Sequence, residues 1–299
     1  MKCSADAAAW ADVMKLLVFG FGYTAHHVAE RLRATGAQIT GTVRSREKAD
    51  LLTRAGITAR IWLDNALRDD IAASDAILIS IPPAQAGDPV LDAFSDIIVA
   101  APKLRWIGYL STIGVYGDHG GNWVDETTPA APDSERSARR VLAEQAWLAP
   151  EARTAAAVQI FRLPGIYGPG RNQLAQLAAG TARRIVKPGQ VFNRIHVADI
   201  AAVIEASLAR PRAGAIYNVT DDEPAPPQDV VAFAAHLCGI EPPPEIPFEA
   251  VELSPMGRSF FSESKRVRND LIRTELGVTL SYPTYREGLT ALRAAGEGP

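Results

Sequence analysis

The chain has 299 residues, 47% of them hydrophobic and 22% charged. That balance fits one large or two modest folded domains and excludes a disordered polypeptide. With a formal net charge of -3, it lacks the basic excess of a nucleic-acid or membrane-surface binder, and no apolar run reaches the roughly 18 residues of a membrane-spanning helix.

Only two cysteines occur, Cys3 and Cys238, so a disulfide framework is not expected and a reducing, cytoplasmic setting is. Residues 1–13 show no clear period, and Asp6 and Asp12 break any apolar stretch. They read as a loose extension ahead of Met14 rather than a secretory signal.

The first strand is expected over 15–19, closed by Gly20. Apolar runs follow at 38–43, 57–63, 76–81, 106–111 and 156–161, with helical spacing at 25–35, 46–55, 90–101 and 137–148. Short, nearly all-apolar strands alternating with amphipathic helices indicate a parallel sheet covered on both faces. Right-handed crossovers make this a Rossmann-type, doubly wound α/β fold. After Gly165 the rhythm loosens and glycine and proline thicken. A helix over 198–209 and a strand over 215–219 still suit the sheet. The expected division is therefore a dinucleotide-binding domain over 14–165 plus about 191–219. A smaller, irregular substrate-side lobe takes about 166–190 plus 220–299.

Directly after the first strand the chain reads Gly20-Phe21-Gly22-Tyr23-Thr24-Ala25, a G-x-G-x-x-A loop opening a helix. The first glycine permits the tight turn, the second admits a pyrophosphate against the backbone, and the small last residue lets helix and strand pack closely. The helix N-terminus then offers free N–H groups to the phosphates. An NAD site usually places an acid after the second strand for the ribose hydroxyls. Here that stretch ends in Val43-Arg44-Ser45, donors suited to a 2′-phosphate. NADP is the expected cofactor, ahead of NAD.

Further along stand Leu110-Ser111-Thr112-Ile113-Gly114-Val115-Tyr116-Gly117, then Glu126 with Pro129 and Pro132. Arg162-Leu163-Pro164-Gly165-Ile166-Tyr167-Gly168-Pro169-Gly170, Ile195-His196-Val197-Ala198-Asp199-Ile200 and Tyr217-Asn218-Val219 come next. In this order the segments resemble the extended short-chain dehydrogenases/reductases, the sugar-nucleotide epimerase/dehydratase group, over nearly the whole chain from Met14. Two departures stand out. The glycine loop is shorter than the family's T-G-x-x-G-x-x-G. The family's Tyr-x-x-x-Lys pair is absent: Arg136 falls where the tyrosine belongs and Arg140 where the lysine belongs.

The resemblance implies that Thr112 orients a substrate hydroxyl. Arg136 then binds an anionic group or a developing oxyanion, and Arg140 a ribose or phosphate oxygen. Neither arginine donates a proton near neutral pH. Cofactor contacts are expected at Gly20, Phe21, Gly22, Tyr23, Thr24, Arg44, Ser45, Asp64, Ser80, Ser111, Pro164 and Gly165. Substrate contacts are expected at Arg171, Asn172, Arg194 and His196. Tyr116, Asp118 and His119 are further candidate acids, Tyr116 being normally structural in the family. His26 and His27 cannot share a helix face as ligands, and no metal is expected.

Two functions follow from these residues. One is an NADP-dependent oxidoreductase or epimerase-like enzyme with a non-standard active site, acting on a small, anionic or nucleotide-linked molecule. The other is a catalytically inactive dinucleotide sensor or interaction protein. The sequence leaves substrate and oligomeric state open.

Overall fold

The computed structural model describes residues 13–149 and 154–299. The extension expected over 1–13 therefore lies, but for Val13, outside the described residues. Strands β1 (Lys15–Phe19), β2 (Gln38–Val43), β3 (Thr58–Ile61), β4 (Ala76–Ile79) and β5 (Trp106–Thr112) come first. After them run β6 (Trp123–Val124), β7 (Ala157–Leu163), β8 (Gly165–Tyr167), β9 (Arg184–Val186), β10 (Arg194–His196) and β11 (Ala215–Asn218). The last two are β12 (Glu245–Pro247) and β13 (Arg266–Val267). Helices α1 (Tyr23–Arg33), α2 (Arg46–Arg54), α3 (Ala66–Ala73), α4 (Pro89–Ala100) and α5 (Glu135–Leu148) alternate with the early strands. Then come α6 (Gln173–Ala178), α7 (Val197–Ala209), α8 (Pro227–Leu237), α9 (Pro255–Phe261), α10 (Asp270–Thr274) and α11 (Tyr285–Ala294).

Seven strands form one sheet in the order β11-β7-β5-β4-β1-β2-β3, and every adjacent pair is parallel. This is the doubly wound α/β fold. Successive side chains of a strand point to opposite faces, and β1 shows the consequence. Leu16 and Val18 enter a core shared with α1 and α7, whereas Leu17 and Phe19 enter the opposite core with α3, α4 and α5. The chain reverses direction across the sheet between β1 and β4, and ligands of such folds bind outside the strand ends at that switch point.

Helix α3 has no counterpart among the expected elements. It is eight residues long and buries only Leu67 and Ile71, too few apolar positions to show a period. The strand expected over 57–63 is shorter, and Leu63 adopts a left-handed φ of 69° that ends it.

The lobe holds its own small core around Tyr167, Leu174, Tyr285 and Leu289, and outside the main sheet lie three two-stranded pairs, β10-β8, β12-β9 and β13-β6. From the last part of the chain, Ile272, Leu276, Val278 and Leu280 pack into the main core. Among the described residues no helix is long and apolar enough to cross a membrane. No group of three or more His, Cys, Asp or Glu there is placed to hold a metal ion.

Candidate functional site

Gly20 turns the chain out of β1 with φ +87°, and a Cβ there would lie 2.7 Å from Ile81 Cγ1 and 3.0 Å from the Ile81 backbone nitrogen. The loop is pinned from behind. Thr42 on β2 accepts from the Gly20 N–H through Oγ1 at 2.8 Å and from the Phe21 N–H through its carbonyl at 2.9 Å. Gly22 is different, because a Cβ on it would meet nothing within 4 Å. It caps α1 without a capping side chain, and the first turn holds no acid. The first N–H groups of α1 thus face open space with no intrahelical acceptor, a cradle that fits a dinucleotide pyrophosphate. Tyr23 leans away from this cradle, its hydroxyl donating to the Pro169 carbonyl at 3.1 Å, with the Arg171 guanidinium 5.6 Å above its ring.

A cleft of about 980 Å³ runs from Thr24, Ser80, Ser111 and Thr112 at the strand ends to the lobe. Pro164, Gly165, Arg136, Arg140, Arg171 and Arg194 also line it. Arg136 and Arg140 project from α5, and their settings differ. Arg136 is exposed, with its guanidinium 5.5 Å from the centre of the Phe260 ring. Arg140 is half-buried, and its Nη1 donates to the Leu110 carbonyl at 2.8 Å and to the Tyr109 hydroxyl at 3.1 Å. The expected ribose-binding arginine therefore also ties α5 to β5. Thr112 Oγ1 accepts from the Gly114 N–H at 3.1 Å, leaving its own proton for a ligand.

Other expected residues sit elsewhere. Arg44 is exposed at the end of β2, and Ser45 caps α2 by accepting from Lys48 N–H at 3.4 Å. Asp64 is exposed and accepts from the Ala66 N–H at 2.9 Å. Asn172 and His196 are buried caps rather than cleft walls. Asn172 Oδ1 takes the Ala175 N–H, and its amide donates to Gly168. His196 Nδ1 takes the Ala198 N–H at 3.2 Å, and its ring packs 4.0 Å from that of Tyr282. Burial holds its pKa down at about 4. Arg194 lines the cleft but is buried, donating to the Phe192 and Ala225 carbonyls.

The alternative acids do not line the cleft. Tyr116 donates to Asn218 Oδ1 at 2.8 Å, and burial raises its pKa. The Asp118 carboxylate accepts from the Ser264 and Gly120 N–H groups and is held below its ordinary value, mainly by the Ser264 contact. His119 turns to the Tyr116 carbonyl.

Behind the cleft floor lies a buried network. Ser111 Oγ donates to Glu144 Oε1 at 2.5 Å, and Arg162 Nη2 reaches Glu144 Oε2 at 2.7 Å. Both partners of that ion pair are about 95% buried, with side-chain exposures of 6% and 5%.

Sequence reasoning missed three cleft features. Ser137 is a buried hydroxyl beside Arg136, accepting from the Ser134 hydroxyl at 3.0 Å. Lys265 and Glu263 form a 2.6 Å pair, the lysine also donating to the Gly117 carbonyl. Phe260 on α9 is 52% exposed. Ser137 had a signal, its place beside the missing tyrosine. The other two lie far along the chain in a stretch without period.

Fold and cleft together define a dinucleotide-binding protein of the extended short-chain dehydrogenase/reductase type. The chain belongs to the NAD dependent epimerase/dehydratase family, whose signature matches residues 16–220. It is 51% identical to a conserved protein of unknown function from Silicibacter pomeroyi, with a TM-score of 0.87 over 95% of this chain and 100% of that one. Protein YeeZ of Escherichia coli is 29% identical over 90% of this chain and 96% of its own length. A 3-diazoavenalumate denitrifying reductase from Streptomyces is 26% identical over 92% and 99%. A human epimerase family protein solved with NADPH shares the fold, with a TM-score of 0.72 and 18% identity over 94% of this chain and 99% of that one.

Proposed function

We propose that this protein is an NADP(H)-dependent oxidoreductase acting on a small organic anion. The observation that carries the reading is the sign of the cleft. Among the described residues its walls hold Arg136, Arg140, Arg171, Arg183, Arg194 and Lys265 against one acid, Glu263, in a chain whose net charge is -3. Glu263 is itself neutralised by Lys265 at 2.6 Å. A cleft lined by one sign of charge concentrates ligands of the other.

The α1 N-terminus and Gly22 would hold the pyrophosphate, with Ser80, Ser111, Pro164 and Gly165 along the rest of the dinucleotide. Arg44 supports NADP, since it is exposed and makes no hydrogen bond or ion pair among the described residues. The bound nicotinamide supplies or accepts hydride. Thr112 and Ser137 present hydroxyls to the substrate oxygen, and Arg136 stabilises negative charge developing there. The name of the Streptomyces relative supports a reductase of an organic anion.

A dinucleotide sensor without turnover is the competing reading, favoured by Arg140 being tied to Leu110. Following NADPH absorbance across a library of carboxylate-bearing carbonyl, quinone and diazo compounds separates the two. Turnover with at least one anionic compound is expected; tight NADPH binding with none would refute the enzyme reading.

A further inference from the structure

Reduction of a carbonyl needs a proton as well as a hydride, and this chain lacks the family's tyrosine. Side chains that give protons in catalysis are those of His, Asp, Glu, Lys, Tyr and Cys. Among the described residues lining the cleft, three belong to that set: Tyr167, Glu263 and Lys265. Tyr167 is committed to the lobe. Its hydroxyl donates to the Thr284 carbonyl at 3.3 Å, and burial raises its pKa. Glu263 accepts from Lys265 through Oε2 at 2.6 Å and so brings negative charge rather than a proton. The arginines of the same walls stay charged at any working pH. Lys265 remains.

Lys265 lies directly before β13 and is only 4% exposed. A lysine ammonium carries three N–H donors. One meets the Gly117 carbonyl at 2.5 Å and one meets Glu263 Oε2 at 2.6 Å. The third has no partner among the described residues. Two fixed acceptors hold the head in place, and the backbone is braced as well. The Lys265 carbonyl accepts from Asn193 Nδ2 at 2.9 Å, and the Asn193 carbonyl accepts from the Gly165 N–H at 3.3 Å. The residue is thus tied on one side to the turn that follows Thr112 and on the other to the start of β8.

Resting on the oxidoreductase reading above, we propose that Lys265 is the catalytic acid of this site, with Glu263 as its positioning residue. Hydride leaves the bound NADPH and forms a C–H bond at the substrate carbonyl carbon. The carbonyl π pair moves onto oxygen, which takes the unpartnered proton of Lys265 as an N–H bond breaks and an O–H bond forms. The carbonyl is reduced to an alcohol and NADPH is oxidised to NADP. The lysine amine regains its proton from water, and the Glu263 carboxylate beside it favours the return of positive charge.

The test combines NADPH oxidation by the full-length protein, with pyruvate and phenanthrenequinone as probes, and calorimetric titration with NADP. Lys265→Arg keeps the charge and can keep both hydrogen bonds, yet an arginine gives up no proton. Its kcat should fall at least about a hundredfold, the usual worth of a general acid, while NADP affinity stays within about twofold. Lys265→Ala should lose as much and regain at least about tenfold with added methylammonium. Tetramethylammonium, a cation without an N–H, should restore nothing. Glu263→Gln should lower kcat by about tenfold and leave KM unchanged. If Lys265→Ala does not fold, the arginine variant decides. A Lys265→Arg protein with wild-type kcat, or equal rescue by both ammonium ions, would overturn the assignment while leaving the oxidoreductase reading in place. A wild-type protein that binds NADP and oxidises NADPH with neither probe would overturn the enzyme reading, and this assignment with it.

Discussion

Gly20 and Gly22 are two residues apart in one loop, yet substitution should break different properties. Gly20 has φ +87°, and an added Cβ meets Ile81 Cγ1 at 2.7 Å and the Ile81 backbone nitrogen at 3.0 Å. The left-handed conformation costs an L-residue roughly 1–2 kcal/mol. Overpacking against backbone that cannot swing aside adds roughly 1–3 kcal/mol. Gly20→Ala should therefore destabilise the fold by about 2–5 kcal/mol.

Gly22 has φ -105° and ψ -163°, an extended geometry open to any residue, with nothing within 4 Å of its Cβ position. Losing a glycine N-cap and stiffening the unfolded chain act in opposite directions, so Gly22→Val should change stability by less than about 1 kcal/mol. The same side chain fills the space the pyrophosphate needs, and NADP affinity should fall at least about a hundredfold, or about 2.8 kcal/mol. Urea unfolding followed by circular dichroism reads the first quantity, and calorimetric titration with NADP the second. A folded Gly22→Val protein that binds NADP normally, or a Gly20→Ala protein of unchanged stability, would show the reasoning to be wrong.

Arg44→Ala should weaken NADP by about tenfold to a hundredfold, a charge-assisted contact being worth roughly 1.5–3 kcal/mol. NAD affinity should barely change, and equal calorimetric affinities of the wild type for both dinucleotides would refute NADP preference. Glu144→Ala should cost about 3–5 kcal/mol in urea unfolding because it strands the buried Arg162 charge, whereas Glu144→Met with Arg162→Met should recover most of it. A single-variant loss under about 1 kcal/mol would argue against the pair. His196 stays neutral in the fold down to about pH 4, but in the unfolded chain it takes a proton below its ordinary value near 6.5. Stability should therefore fall as pH drops from about 6.5 to 4, by roughly 2–3 kcal/mol relative to His196→Asn, which retains a helix cap. Parallel unfolding curves for the two proteins across that window would exclude the effect. Arg136→Tyr with Arg140→Lys restores the family pair and should produce measurable NADPH oxidation with a carbonyl compound. It should also lose about 1 kcal/mol of stability with the Leu110 contact, and a stable but inert double variant would mean that more than the pair is missing.

The local rules of the chain were enough to determine the doubly wound sheet and the glycine loop. Nearly all-apolar strands such as Lys15–Phe19 specify their own burial, and the turn at Gly20 depends on residues next to it in sequence. The family resemblance singled out Arg136 and Arg140, and both lie on α5, four residues apart. Tertiary structure alone decided what those side chains meet. Arg140 bonds to Leu110, thirty residues earlier, and Arg136 faces Phe260, more than a hundred residues later. Asn172 and His196 have the residue types of ligand contacts, yet Asn172 Oδ1 and His196 Nδ1 each cap the N-terminus of a helix. Helix α3 and the Lys265–Glu263 pair left no periodic trace, because two buried residues or one short-range pair set no pattern. Periodicity records which face of an element is buried, whereas a cleft is assembled from the ends of elements, where neighbours are fixed by the path of the whole chain.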